Sequence, residues 1–173
     1  ELYIGDFSRN TNFPIRIGYI GTNTHQKDLL LISDVINKLK KKYGNKIEVE
    51  VIGAFQNNKP LFGNRVSLPK NTDYPAFVNW LLKRVKWDIG LIPLAVDEFN
   101  NSKSNLKFLE YSALDMAIVV SDHPVYQTVA KDNVNCLIAN SSESWTLKLE
   151  SLINDLKLRD SLAKSAKSML LSD

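Results

Sequence analysis

The chain has one cysteine, Cys136, among its 173 residues. No internal disulfide is therefore possible, and a reducing compartment is the natural setting. Cys136 lies in an apolar run, the place of a core residue rather than of a nucleophile. No stretch approaches the roughly 20 apolar residues that span a bilayer. No signal-peptide pattern is present either, so the expected location is cytoplasmic. His25 and His123 are the only histidines, and neither sits in an HExxH or Cys/His cluster, so no metal is expected. The P-loop pattern GxxxxGK[ST] and the dinucleotide fingerprint GxGxxG are both missing. No GxSxG elbow supports a hydrolase. A net charge of +3 is too small to argue for nucleic acid.

What is present is the balance of an ordinary globular domain, 44% hydrophobic and 24% charged. The length suits one compact domain with a real core. Residues 1–14 are mostly polar and read as a linker or the tail of a preceding unit; the domain is expected over residues 15–173. Ile15–Ile20 (IRIGYI) and Ile47–Ile52 (IEVEVI) read as strands, as do Arg65–Leu68, Asp88–Pro93, Ala117–Val120 and Asn135–Ala139. Between them lie helical patterns. Asp28–Tyr43 has Leu29, Ile32, Val35, Ile36 and Leu39 on one face and Gly44 as its cap. A second helix, capped by Thr72 or Asp73, runs to about Lys86 with Phe77, Leu81 and Val85 inward. A third, opened by Ser102 or Ser104, has Leu106, Leu109 and Ala113 inward. Pro124–Lys131 reads as a short helix. Ser141 or Ser142 caps a helix carrying Trp145, Leu149 and Leu152. Asp155 caps the last, with Leu158, Leu162, Ala166 and Met169 inward. Alternating strands and helices predict a doubly wound α/β domain with a parallel sheet.

Ligands in such sheets sit outside the carboxyl ends of the strands. Three loops fall there: Gly21–Lys27, Gly53–Asn57 and Leu94–Ser104. The first combines small residues with His25 and Lys27 just before a helix, a composition that can cradle a phosphate or can be an ordinary turn. The third leads from NNSKSN into a helix whose free N–H groups suit an anion. Glu110, beside Lys107, could then reach a hydroxylated group attached to that anion. Its bland alternative is a solvated pair with Lys107. Asp97 and Glu98 read as a solvated pair rather than a metal site. WLLKRVKW, from Trp80 to Trp87, mixes aromatics and bases. It reads as an apolar face plus a wet face of Lys83, Arg84 and Lys86, with contact to nucleic acid or peripheral contact at the inner face of a membrane as the alternatives.

Four motifs then come in a telling order: IGYIGTNTHQK from Ile17, WDIGLIP from Trp87, KSNLKFLEY from Lys103 and IVVSD from Ile118. Together they resemble the C-terminal domain of GT-B glycosyltransferases, the large retaining class called group one. The resemblance covers Ile15 to Leu170. It implies a Rossmann-like, nucleotide-sugar-binding half of a hexosyltransferase-like enzyme, with a separate N-terminal domain holding most of the acceptor site. It implies that the fragment is inactive alone. The nucleotide diphosphate sugar would be substrate, and no cofactor is expected.

By the same resemblance the donor diphosphate falls to Gly21, Thr22, His25 and Lys27, and to the amides of Ser104, Asn105 and Leu106. Glu110 would hold the ribose. Ser102, Lys103 and Lys107 are possible sugar-facing residues, and Leu68 and Pro69 the nucleobase wall. The chain departs from the family in two places that bear on chemistry. Thr22 stands where many members have Arg, and Ser102 where many have a sugar-contacting Glu. A third departure, Asp115-Met116-Ala117 in place of a Gly-containing helix end, bears only on a cap that Asp can also fill. A non-catalytic nucleotide-binding or structural α/β module is therefore the alternative reading.

Overall fold

The computed structural model describes residues 14–54, 59–71 and 73–172. The expected linker, apart from its last residue, the loop residues 55–58 and the alternative cap Thr72 lie outside them. Six strands form one sheet, all parallel: β1 (Ile15–Gly21), β2 (Ile47–Gly53), β3 (Asn64–Val66), β4 (Ile89–Ile92), β5 (Ala117–Ser121) and β6 (Leu137–Ala139). Their order is β3-β2-β1-β4-β5-β6. The chain winds outward from β1 to β3, then returns to place β4 on the other side of β1. The β1/β4 boundary is thus the switch point, where helices on opposite faces diverge and leave a crevice.

Strand periodicity sends alternate residues to opposite faces. In β5, Ala117 and Val119 join one core with Ile17, Leu91 and the α1 residues Leu29, Ile32 and Ile36. Ile118 and Val120 join the other with Trp87, Phe108 and Tyr111. The first core is covered by α1 (Gln26–Tyr43), α5 (Ser142–Asn154) and α6 (Leu156–Ser172), the second by α2 (Tyr74–Arg84) and α4 (Leu106–Ala113). Two glycines make room on the second face. A Cβ on Gly90 would lie 2.4 Å from the Tyr111 ring, and one on Gly18 1.8 Å from Trp87. Both rings therefore pack directly on the sheet, at 87° to each other, where any side chain would lift them off.

Most of the expected elements are present. Asp73 caps α2 through Ala76 N–H, Ser141 caps α5 through Ser144 N–H, and Gly44 closes α1 at φ 53°. Asp115 takes the left-handed conformation after α4, with φ 59°. In WLLKRVKW, Leu81, Val85 and Trp87 are buried while Lys83, Arg84 and Lys86 are exposed. Arg84 and the Trp87 indole both donate to the buried Glu50, at 2.8 and 2.7 Å. Among the described residues no helix is long and apolar enough to cross a membrane.

Several expectations are corrected. Neither Ser102 nor Ser104 caps α4: Asn105 does so without a side-chain bond. The inward stripe of α4 is Phe108, Tyr111 and Ser112 with Ala113, not Leu106 and Leu109. Leu106 is 54% exposed, because the large aromatics fill the space over the sheet. The Asp97–Ser104 stretch contains a single helical turn, α3 (Glu98–Asn101), capped by Asp97. Pro124–Lys131 is a 3₁₀ turn over Pro124–Tyr126 followed by further turns, not a helix.

Candidate functional site: a cavity at the switch point

At the carboxyl ends of β1 and β2 the surface opens into a cavity of about 470 Å³. Its floor is Ile20, Gly21, Ile52 and Gly53; its walls bring in Thr22, His25, Lys103, Ser104, Leu106, Lys107 and Glu110, with Leu68, Phe77 and Tyr126 on the apolar side. The organisation follows from the fold. The strand ends present backbone, the β1–α1 turn brings His25, and the first turns of α4 bring Lys107 and Glu110.

Nine of the thirteen sequence candidates meet here: Gly21, Thr22, His25, Leu68, Lys103, Ser104, Leu106, Lys107 and Glu110. Lys27 is exposed on α1, and Ser102, Asn105 and Pro69 also stand outside the lining. Sequence reasoning passed over Phe77 and Tyr126 as wall residues, and Tyr19 and Asp28 behind the wall. An aromatic at a helical inward position reads as core, so Phe77 carried no signal of a site. Asp28 read only as the start of a helix.

Asp28 is 1% exposed and accepts four hydrogen bonds. They come from His25 Nδ1 at 2.8 Å, Ala95 N–H at 2.9 Å, Asn100 Nδ2 at 2.9 Å and Lys103 Nζ at 3.4 Å. Burial is the largest single influence on its acidity and opposes ionisation. The four donors together outweigh it and hold the carboxyl at about 2.

Lys107 is held differently. Its ammonium lies 4.2 Å from the centre of the Tyr19 ring and donates to the Tyr19 hydroxyl at 3.0 Å. Burial pushes its pKa down to about 7; Asp28 and Glu110 draw it up, and Lys103 adds to the fall. Burial also raises Tyr19 far above the phenol range, so that hydroxyl stays neutral. Glu110 is half-buried, and burial raises its pKa despite the nearby Lys107. The alternative reading of Glu110, a surface pair with Lys107, is not formed: among the described residues the carboxylate has no ion pair and accepts no hydrogen bond, while Lys107 turns to Tyr19.

The amino end of α4 completes the site. With no side-chain cap, the N–H groups of Leu106 and Lys107 find no acceptor among the described residues. Free amides and the helix dipole favour an anion there. The cavity therefore joins Lys103, Lys107, the His25 ring and the helix amides to a carboxylate, with an apolar wall opposite. An anion joined to a hydroxylated group and a flat apolar group fits that sequence of surfaces. Among the described residues no group of His, Cys, Asp and Glu could hold a metal ion.

No protein-family model matches the chain, and no curated protein matches it. Solved structures do. The C-terminal domain of a glycosyl transferase group 1 family protein, LpcC from Francisella tularensis, superposes with a TM-score of 0.62 at 18% identity, covering 91% of this chain and 85% of that one. WaaG, a glycosyltransferase involved in lipopolysaccharide biosynthesis, gives 0.69 at 14% identity, over 94% of this chain and 44% of its own. This chain has the fold of a GT-B C-terminal domain. The Anabaena protein HepE, crystallised with UDP-glucose, gives 0.60 at 12% identity, over 91% of this chain and 44% of its own. At these identities the likeness is one of fold. The chain spans less than half the length of the WaaG and HepE chains.

Proposed function

We propose that this domain is the donor-binding half of a retaining glycosyltransferase, and that its cavity takes a nucleoside diphosphate sugar. The observation that carries the reading is Glu110: a half-buried carboxylate without a protein partner among the described residues, one turn beyond the free amides of α4. The diphosphate lies on the amides of Leu106 and Lys107, beside Gly21, His25 and Lys103. The ribose hydroxyls donate to Glu110, as they do to acidic residues in other nucleotide sites. The base packs along Leu68 and Phe77. Positive charge for the diphosphate comes from the protein itself, through Lys103, Lys107 and the helix end. The acceptor belongs to a separate N-terminal domain, so this half alone transfers no sugar.

One observation favours a second reading. Ser102, standing where many group-one enzymes have a sugar-contacting Glu, lies outside the cavity lining. A module that binds the nucleotide without transferring sugar fits that as well.

Thermal unfolding with UDP and with GDP tests the proposal. A ligand at 100 times its Kd adds about 2.7 kcal/mol by mass action. One of the two nucleotides raises Tm and the matching nucleoside alone does so far less; no shift with either refutes the donor site.

A further inference from the structure

Asp28 does not line the cavity, yet every polar group it holds comes from a loop that does, or from the segment leading into one. Oδ2 accepts from His25 on the β1–α1 connection and from Lys103 on the β4–α4 connection. Oδ1 accepts from Ala95 N–H and Asn100 Nδ2, and Asn100 Nδ2 also donates to Ala95 O at 2.8 Å. Four donors use the whole accepting capacity of one carboxylate. A surface role would not need them.

The geometry also fixes which nitrogen of His25 carries its proton. Nδ1 lies 2.8 Å from the Asp28 carboxylate and 3.1 Å from the Lys103 ammonium. The ionised carboxylate can only accept, and the ammonium can only donate. The shorter contact decides: Nδ1–H donates to Asp28, and Nε2 is the ring nitrogen left for a ligand, able to donate to an anion only from the doubly protonated ring, whose charge Asp28 offsets. Lys103 shares the same oxygen, so one buried charge offsets two cationic or cation-forming groups 3.1 Å apart.

We propose that Asp28 is the positioning residue of this cavity, setting His25 and Lys103 from two loops as one pair for an anionic ligand. The proposal rests on the donor-site reading for its ligand, a diphosphate, and on the hydrogen bonds of Asp28 for its mechanism. Asp28→Asn separates positioning from packing. The amide oxygen keeps Ala95 and Asn100, while its NH₂ now faces His25. In the free protein Nδ1 must then accept and the ring proton moves to Nε2, while Lys103 and the doubly protonated ring both lose their counter-charge.

The test has two readouts. The first is ¹⁵N NMR of the His25 ring in the free protein. Wild type carries its proton on Nδ1, and in Asp28→Asn the tautomer inverts. The second is binding of UDP, GDP and inorganic pyrophosphate in a double-mutant cycle. Asp28→Asn weakens whichever of these binds by about tenfold or more, roughly 1.4 kcal/mol. In a His25→Ala, Lys103→Ala background the same change costs less than about twofold, since there is nothing left to position. His25 and Lys103 lie outside both cores, and if Asp28→Asn is poorly folded the coupling between His25→Ala and Lys103→Ala tests their action as a pair, strictly additive losses overturning it. An unchanged tautomer, or an equal loss in both backgrounds, overturns the positioning role. If neither nucleotide binds, the donor-site reading falls; pyrophosphate binding with the cycle above then upholds the positioning role alone, and no binding of pyrophosphate overturns both.

Discussion

The hydroxyl of Tyr111, on α4, accepts the backbone N–H of Ile20, on β1, at 2.9 Å. β4 pairs with β1 only at Ile17 and Gly18, so the ladder on that side stops before Ile20. A side chain from the helix supplies the missing acceptor. It thereby ties the residue after α4's Glu110 to the residue before Gly21, across the floor of the cavity.

Removing that hydroxyl should therefore be felt in both places. Tyr111→Phe leaves the Ile20 N–H unsatisfied, a loss of about 1–3 kcal/mol. Urea denaturation should record it, and amide exchange at Ile20 should quicken. Unchanged exchange at Ile20 would mean the bond contributes nothing.

Gly90→Ala tests the seat of the same ring. Its Cβ would meet Tyr111 at 2.4 Å, so the ring and α4 must lift. Overpacking of this kind costs about 1–3 kcal/mol. Combined with Tyr111→Ala, which clears the space, the glycine substitution should cost much less than it does alone; equal costs would refute the close approach.

Lys107 gives a pH dependence of definite sign. Its folded pKa is about 7, against about 10.4 for an unfolded lysine. Between those values the unfolded chain binds more protons, so this group's contribution to stability rises with pH. The cost of burying the charge is complete below the folded value and is relieved above it. Anion binding runs the other way: a cation is needed, so nucleotide affinity should fall as pH rises past about 7. Lys107→Arg, which stays charged, should flatten the affinity profile, and Lys107→Met should remove the stability slope. A wild-type affinity flat up to about pH 9 would contradict this.

The lysines also rank. Lys27 is exposed outside the cavity lining, while Lys103 lines it. Lys103→Ala should cost a nucleoside diphosphate on the order of 1.5–3 kcal/mol, and Lys27→Ala little. Isothermal titration of both variants checks the order, and the reverse ranking would restore Lys27 to the diphosphate.

That contrast shows where the sequence was legible. The strand cores were, because runs such as IRIGYI and AIVV have one physical use. So was the position of Glu110, because a polar loop entering a helix after a buried strand has a fixed place in a parallel sheet. Lys27 came forward because it is nearest in sequence to Gly21, yet the cavity cations Lys103 and Lys107 arrive from another loop. Asp28 was illegible for the same reason. Three of its four partners lie 67 to 75 residues away, and nothing local distinguishes it from a surface helix residue. Leu106 misled through its apolar side chain: a leucine reads as inward, but here Phe108 and Tyr111 fill the core and Leu106 borders the cavity.

Whether Glu110 holds a ribose is decided by one titration. UDP and GDP, each with its 2′-deoxy form, are titrated against wild type and Glu110→Gln. Glu110 lies outside both cores, so the variant should fold with stability close to wild type. Whichever base binds should lose affinity roughly tenfold or more in the variant, about 1.4 kcal/mol. The 2′-deoxy form, lacking one hydroxyl, should lose less. A nucleotide that binds wild type and Glu110→Gln equally well would mean that Glu110 does not hold the ribose.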